Sequence, residues 1–177
     1  MNKHRTFIIA VLVFVVVLGG FVFVQERIVQ GGAEVILATR PVDPRDLFRG
    51  EYVILRYEIE QAEMVQAMIE DTPDLDTLYV RLEAGQDGVA TVTAVSVAIP
   101  DFSSGVWLTG DVERNRVRFP DLEQYFVPEG AGRPIERMRS GLHVQARVLN
   151  GNARVVGLLD ENLQEIDVYE YRDSVPQ

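Results

Sequence analysis

Residues 7–24, FIIAVLVFVVVLGGFVFV, run for eighteen positions without a charge or a polar side chain. As an α-helix rising ~1.5 Å per residue, such a run spans ~27 Å, close to the hydrocarbon thickness of a bilayer. A helix apolar on every face has no side to turn to water, so it needs lipid or other helices around it. Whatever follows must fold beside that segment.

The flank before the run carries Lys3, His4 and Arg5, whereas the flank after it, 25–30, balances Glu26 against Arg27. The excess of positive charge on the short side predicts a cytoplasmic N-terminus and an outer location for the rest. The expected organisation is a tip at 1–6, a transmembrane signal anchor at 7–24, a polar linker at 25–33 and an extracytoplasmic β-rich domain at 34–177. In a bacterial cell this means the inner membrane with a periplasmic domain. A cleaved signal peptide is the competing expectation, with Gly31, Gly32 and Ala33 as small residues near a cut, but the apolar run exceeds the ~7–15 residues of a secretory core. The adjacent Gly19 and Gly20 are not spaced as a GxxxG association face.

With 47% hydrophobic and 25% charged residues, the composition is that of an ordered globular chain. The net charge of −10 disfavours nucleic acid and anionic headgroups as partners of the outer domain. The absence of cysteine excludes disulfides, thiolate catalysis and Cys-based zinc sites. Sixteen arginines stand against a single lysine, Lys3; arginine suits planar pairing with carboxylates, and the coding bias of a GC-rich genome accounts for the skew.

Along the domain, residues 34–40 read as a strand rich in β-formers. Asp43 before Pro44, with Asp46 following, predicts one helical turn closed by Gly50. Residues 51–60 return as a strand, with Val53, Leu55, Tyr57 and Ile59 on a core face and Tyr52, Ile54, Arg56 and Glu58 on the other. Helical spacing of Ala62, Val65, Met68 and Ile69 predicts a helix over 61–70. Strands follow at 77–84, 89–99, 106–114, 116–119, 142–149 and 153–160, with Asn150-Gly151 as a hairpin turn. Short helices are expected around 122–126 and 135–138. The resulting fold class is mainly β with minor α: an N-terminal transmembrane helix followed by an antiparallel β-sandwich or partly open β-barrel.

The string from Gly50 and Glu51 through Tyr52, Leu55 and Tyr57, GEYVILRY, resembles the motif that names the GDYXXLXY family of bacterial membrane-anchored proteins. The lead-in PVDPRDL and a second block, Tyr125-Phe126-Val127-Pro128-Glu129-Gly130 with Glu136 following, are also similar to its members. The resemblance implies one N-terminal span and an outer β-rich domain, often encoded beside multi-span membrane proteins of unknown function. It supplies no catalytic residues. Glu51 stands where the motif has Asp, and its extra methylene closes less readily onto nearby backbone amides.

Two uses of the motif compete. One is structural: Gly50 for a turn, Leu55 and Tyr57 for the core, Tyr52 packed under the preceding turn. The other is a recognition patch of Asp43, Arg45, Asp46, Arg49, Glu51 and Tyr52 at one edge of the domain. Glu129 and Glu136 on a Gly-rich loop invite comparison with glycosidase carboxylate pairs, although pairing with Arg133 or Arg137 on a solvated surface explains them as simply.

Other chemistries fail on inventory. A Ser-Lys dyad needs a lysine that the outer domain lacks, and a Ser-His-Asp triad could draw only on His143, a mid-strand residue with no Gly-x-Ser-x-Gly elbow in the chain. No cofactor, catalytic residue or metal site is therefore expected, although carboxylate-bound calcium is left open. The favoured expectation is a non-enzymatic interaction module docking on a polytopic membrane protein or envelope partner, marked by an exposed apolar or aromatic patch near Tyr52, Phe126 or Trp107. The alternative is an envelope carbohydrate-binding protein or hydrolase using the loop carboxylates.

Overall fold

The computed structural model describes residues 3–40, 52–128 and 141–169. Helix α1 (Lys3–Gly31) is followed by strands β1 (Ala33–Ala38) and β2 (Tyr52–Ile54), a 3-10 turn at Glu58–Gln61 and helix α2 (Glu63–Asp71). Strands β3 (Thr77–Ala84), β4 (Ala90–Ser96), β5 (Val106–Glu113), β6 (Arg116–Arg118), β7 (Gln124–Phe126), β8 (His143–Leu149) and β9 (Asn152–Leu159) complete the described chain, with 3-10 turns at Phe102–Ser104 before β5 and at Pro120–Leu122 before β7.

 Every paired strand is antiparallel. They form a three-stranded sheet ordered β1-β8-β9, a two-stranded sheet β2-β7 and a four-stranded sheet β4-β3-β5-β6. Isolated bridges from Thr39 to Tyr57 and from Leu108 to Gly151 tie the sheets together, so they curl around one core as a half-barrel. The mainly-β, antiparallel architecture read from the sequence is the one observed.

The strand pattern explains how that core fills. In β3, Leu78, Val80 and Leu82 are buried and alternate with partly exposed neighbours. In β8, Val144, Ala146 and Val148 point inward while His143, Gln145 and Arg147 take the other face. Asn150 and Gly151 join β8 to β9 with φ of 50° and 83°, the left-handed pair that a two-residue hairpin turn requires.

Three expectations are corrected. The strand expected over 51–60 is only three residues long, because the Glu60 carboxylate accepts the Tyr57 N–H at 3.1 Å and the chain coils into the 3-10 turn. Its parity nevertheless holds for burial: Val53, Leu55, Tyr57 and Ile59 are all in the core. The helix expected around 122–126 is instead the end of a 3-10 turn and strand β7, since the segment finds backbone partners in β2. Strand β4 stops at Ser96, whose hydroxyl bonds both the N–H and the C=O of Ala98 and bends the chain away. The turn expected at 43–50 and the helix expected at 135–138 lie outside the described residues.

The polar linker expected over 25–33 is also replaced. Glu26, Arg27 and Gln30 are competent helix formers with no breaker before the glycines, and the Gln30 amide donates to Glu26 at 2.6 Å one turn back. Helix α1 therefore continues to Gly31, and β1 begins two residues later. The last turns of α1 pack on β8 and β9: Ile28 is buried, Arg154 donates to the Gln25 amide oxygen at 3.0 Å, and Arg147 donates to the Gly32 carbonyl at 3.3 Å while pairing with Glu34 at 2.8 Å.

Gly32 makes this junction possible. A methyl group added there would stand 2.5 Å from the Ile28 carbonyl oxygen and 3.0 Å from the Val148 nitrogen, both backbone atoms that cannot swing aside. Gly32→Ala is expected to lower stability by about 1–2 kcal/mol through overpacking, read as a lower thermal midpoint of the full chain in detergent. An unchanged midpoint would mean that the junction yields freely.

Candidate functional site: an arginine-lined cleft beside two paired motifs

The GEYVILRY string and the YFVPEG block, more than sixty residues apart in the sequence, are partners in space. Strands β2 and β7 pair in the register Tyr52 to Phe126, Val53 to Tyr125 and Ile54 to Gln124, and the Leu55 N–H continues the ladder to the Glu123 carbonyl at 2.8 Å. Of the residues singled out in the sequence, Leu55 and Tyr57 are core, and Tyr52 is placed by its backbone in β2. Asp43, Arg45, Asp46, Arg49, Gly50 and Glu51, like Glu129, Gly130 and Glu136, lie outside the described residues.

Tyr57 is the anchor of the pair. Its side chain has no exposed surface, its hydroxyl donates to the Leu122 carbonyl at 2.7 Å, and its backbone bridges to Thr39 at the end of β1. Burial, with the nearby charges of Glu60 and Glu123, holds the phenol well above its ordinary range, so it remains a neutral donor. One residue thus fastens β1, the first motif and the turn that leads into the second.

Beside this anchor opens a cleft of about 670 Å³ lined by Arg40, Arg56, Arg114, Arg116 and Arg118, together with Glu60, Glu113 and the amides Gln61 and Gln66. Arg40 follows β1 and Arg56 precedes Tyr57; the Arg40 N–H donates to the Arg56 carbonyl at 2.9 Å, setting their side chains in one region. Arg116 and Arg118 lie on the face of β6 opposite buried Val117, and Arg114 occupies the turn between β5 and β6.

Two buried carboxylates organise this wall. Glu123 accepts from Arg56 Nη1 and Arg118 Nε on one oxygen, the latter at 2.7 Å, and from Arg118 Nη2 on the other. Burial alone would raise the Glu123 carboxyl, but the Arg118 hydrogen bonds and the charges of Arg56 and Arg118 outweigh it and hold the group below the usual glutamate range. Glu60 takes the Tyr57 N–H on one oxygen and Arg40 at 3.3 Å on the other. Its carboxyl is held above the usual range by burial, against the lowering effects of the Tyr57 N–H, Arg56 and Arg40.

These carboxylates are committed to structure. Every oxygen of Glu60 and Glu123 already accepts from the protein, which leaves neither free to move a proton to a bound molecule. The guanidiniums are in a different state. Arg118 is engaged by Glu123 and Glu113, whereas Arg114 and Arg116 are exposed and, among the described residues, have no carboxylate within ion-pair distance. Among the described residues Arg40 makes one long contact, with Glu60, while its enclosed Nε has no acceptor there.

Elsewhere, His143 Nδ1 donates to the Gly141 carbonyl at 2.9 Å, a strand histidine held by backbone. Among the described residues no group of three His, Asp or Glu side chains is placed to hold a metal ion. Trp107, expected near an exposed aromatic patch, is instead buried, with its indole N–H donating to Ser104 Oγ at 3.2 Å. Phe126, on β7, is 72% exposed.

Comparison with known proteins agrees with the motif. A family model described as GDYXXLXY protein matches residues 14–158, most of the chain. No curated protein and no solved structure matches.

Proposed function

The chain belongs to the GDYXXLXY family, and on that footing we propose that it is a membrane-anchored interaction module, held by α1 in the inner membrane with its N-terminus in the cytoplasm and its β-domain outside, docking on a polytopic membrane protein or envelope partner. The observation that carries this reading is the state of α1. The helix is long and apolar enough to cross a membrane over Thr6–Gly31, and in its most apolar stretch none of it is covered by the rest of the chain. Phe7, Phe14, Phe21 and Phe23 are each more than 60% exposed, a surface suited to lipid or to neighbouring helices.

Further support comes from the way α1 enters the domain. Direct packing of the helix on β8 and β9, in place of a loose tether, gives the domain a defined orientation relative to the span. A fixed orientation suits recognition of a neighbour in the same membrane, because it lowers the entropy lost on docking. Phe126 offers an exposed aromatic on the strand that joins the two family blocks.

Photocrosslinking from position 126 in intact cells is expected to trap a multi-span membrane protein. Recovery of the protein alone in mild detergent, at native expression, would overturn docking. Protease added to spheroplasts is expected to digest the β-domain, and a protected domain would overturn the orientation.

A further inference from the structure

We propose that the arginine-lined cleft is a binding site for a multivalent oxyanion, a ligand that presents two or more carboxylate or phosphoryl groups. The chain as a whole carries −10, yet among the described residues five guanidiniums gather in this cleft against Glu60, Glu113 and the Glu123 behind them. Such a concentration of positive charge, against the sign of the whole protein, focuses the field on the cleft and draws anions into it.

The disposition of the five is more telling than their number. Glu123 holds Arg56 and Arg118 in fixed positions, as a supporting carboxylate holds a binding residue. Arg114 and Arg116 line the cleft as exposed residues. Each presents a planar fork that matches carboxylate and phosphoryl oxygens, a geometry that lysine lacks.

The turn that carries Arg114 adds an independent sign. Arg114 and Asn115 adopt φ of 52° and 60°, left-handed positions that a two-residue hairpin fills most cheaply with Asn-Gly. Asn115 suits its position, but an arginine there carries conformational strain that no ion pair among the described residues repays. Strain retained at a cleft rim is expected when the side chain serves a ligand.

Size and lining narrow the class. The volume of about 670 Å³ falls within the range of small-molecule sites, while the lining of arginine, glutamate, glutamine and asparagine, with Val117 the single aliphatic member among the described residues, suits a polar ligand and not an apolar one. A single small anion would engage one or two forks, whereas a ligand with several oxyanion groups can span the rim arginines and the fixed pair. The chemistry is set by the cleft alone and would hold on either side of a membrane.

The test uses the full chain in a non-ionic detergent, titrated with sodium pyrophosphate or sodium citrate against sodium chloride at matched ionic strength. One or both multivalent anions should raise the thermal midpoint by about 5 °C beyond chloride near saturation. By calorimetry, the paired change Arg114→Ser with Arg116→Ser should weaken binding about tenfold or more. The paired variant should unfold at the wild-type midpoint without ligand, since neither side chain supports the fold, and Arg154→Ser, outside the cleft, should bind as wild type. Tighter binding of pyrophosphate would assign phosphoryl groups, and tighter binding of citrate would assign carboxylates. Shifts no larger than those of chloride, or equal affinity in the paired variant, would overturn the site.

Discussion

Tyr57→Ala is expected to lower stability by about 3–5 kcal/mol, the range for removing a large aromatic from a packed core, and to drop the thermal midpoint of the full chain by about 10 °C. The side chain is wholly buried, and its loss opens a cavity where the end of β1, the first motif and the Pro120–Leu122 turn converge. Tyr57→Phe separates packing from the hydroxyl. It keeps the ring and leaves the Leu122 carbonyl without its donor, so it should cost about 1–2 kcal/mol. Denaturant unfolding with both variants checks this. A Phe variant as damaged as the Ala variant would show that the hydrogen bond, and not the ring, secures the junction.

Glu123→Gln should have the second large effect, about 2–3 kcal/mol at neutral pH. Breaking a fully buried ion pair costs about 3–5 kcal/mol, and partial exposure of both arginines reduces that figure here. The carboxyl of Glu123 is held below the ordinary glutamate value near 4.5, so its contribution is complete above that value and fades as pH falls through the lowered one. The deficit of Glu123→Gln relative to wild type should therefore shrink on acidification. Glu60 behaves oppositely. Its folded-state carboxyl is raised, so its favourable contribution is full below about 4.5 and is lost as pH rises through the raised value. Glu60→Gln should gain on wild type as pH increases, while Glu123→Gln loses. Urea midpoints across pH 3.5–7, a range set by these shifts, should show the two differences diverging. Parallel curves would show that the environments of the two carboxylates do not differ as described.

Much of the fold was legible because it is written in short-range pattern. The alternation of TLYVRLEA gave β3 over the residues that form it, and Asn150-Gly151 announced the β8-β9 turn. Burial of Leu55, Tyr57 and Ile59 followed from parity even though the backbone coils at Glu58–Gln61, because the inward positions survive the change of conformation. The pairing of β2 with β7 was not legible. It joins two short segments by backbone hydrogen bonds, and nothing in either string names its distant partner.

The cleft was less visible still. Its arginines come from the end of β1, the segment before Tyr57 and the β5-β6 hairpin, positions that only the fold assembles. One signal was present: Arg114, Arg116 and Arg118 recur at every second residue, the spacing of one strand face. An arginine excess ascribed to coding bias concealed it. Arg40, Arg56 and Arg118 each hold a buried glutamate, a task for which their chemistry matters.

The seam at Gly32 has a geometric consequence for the whole molecule. Ile28 is buried, Arg154 bonds Gln25 on α1 and Arg147 bonds the Gly32 carbonyl just beyond it, so helix and strand meet in a packed junction and not through a linker. Each residue added to or removed from the helix below Gln25 would turn the domain by about 100° around the helix axis relative to the far end of α1. The compass bearing at which Phe126 and the cleft face their surroundings is thus encoded in the residue count of an oily rod.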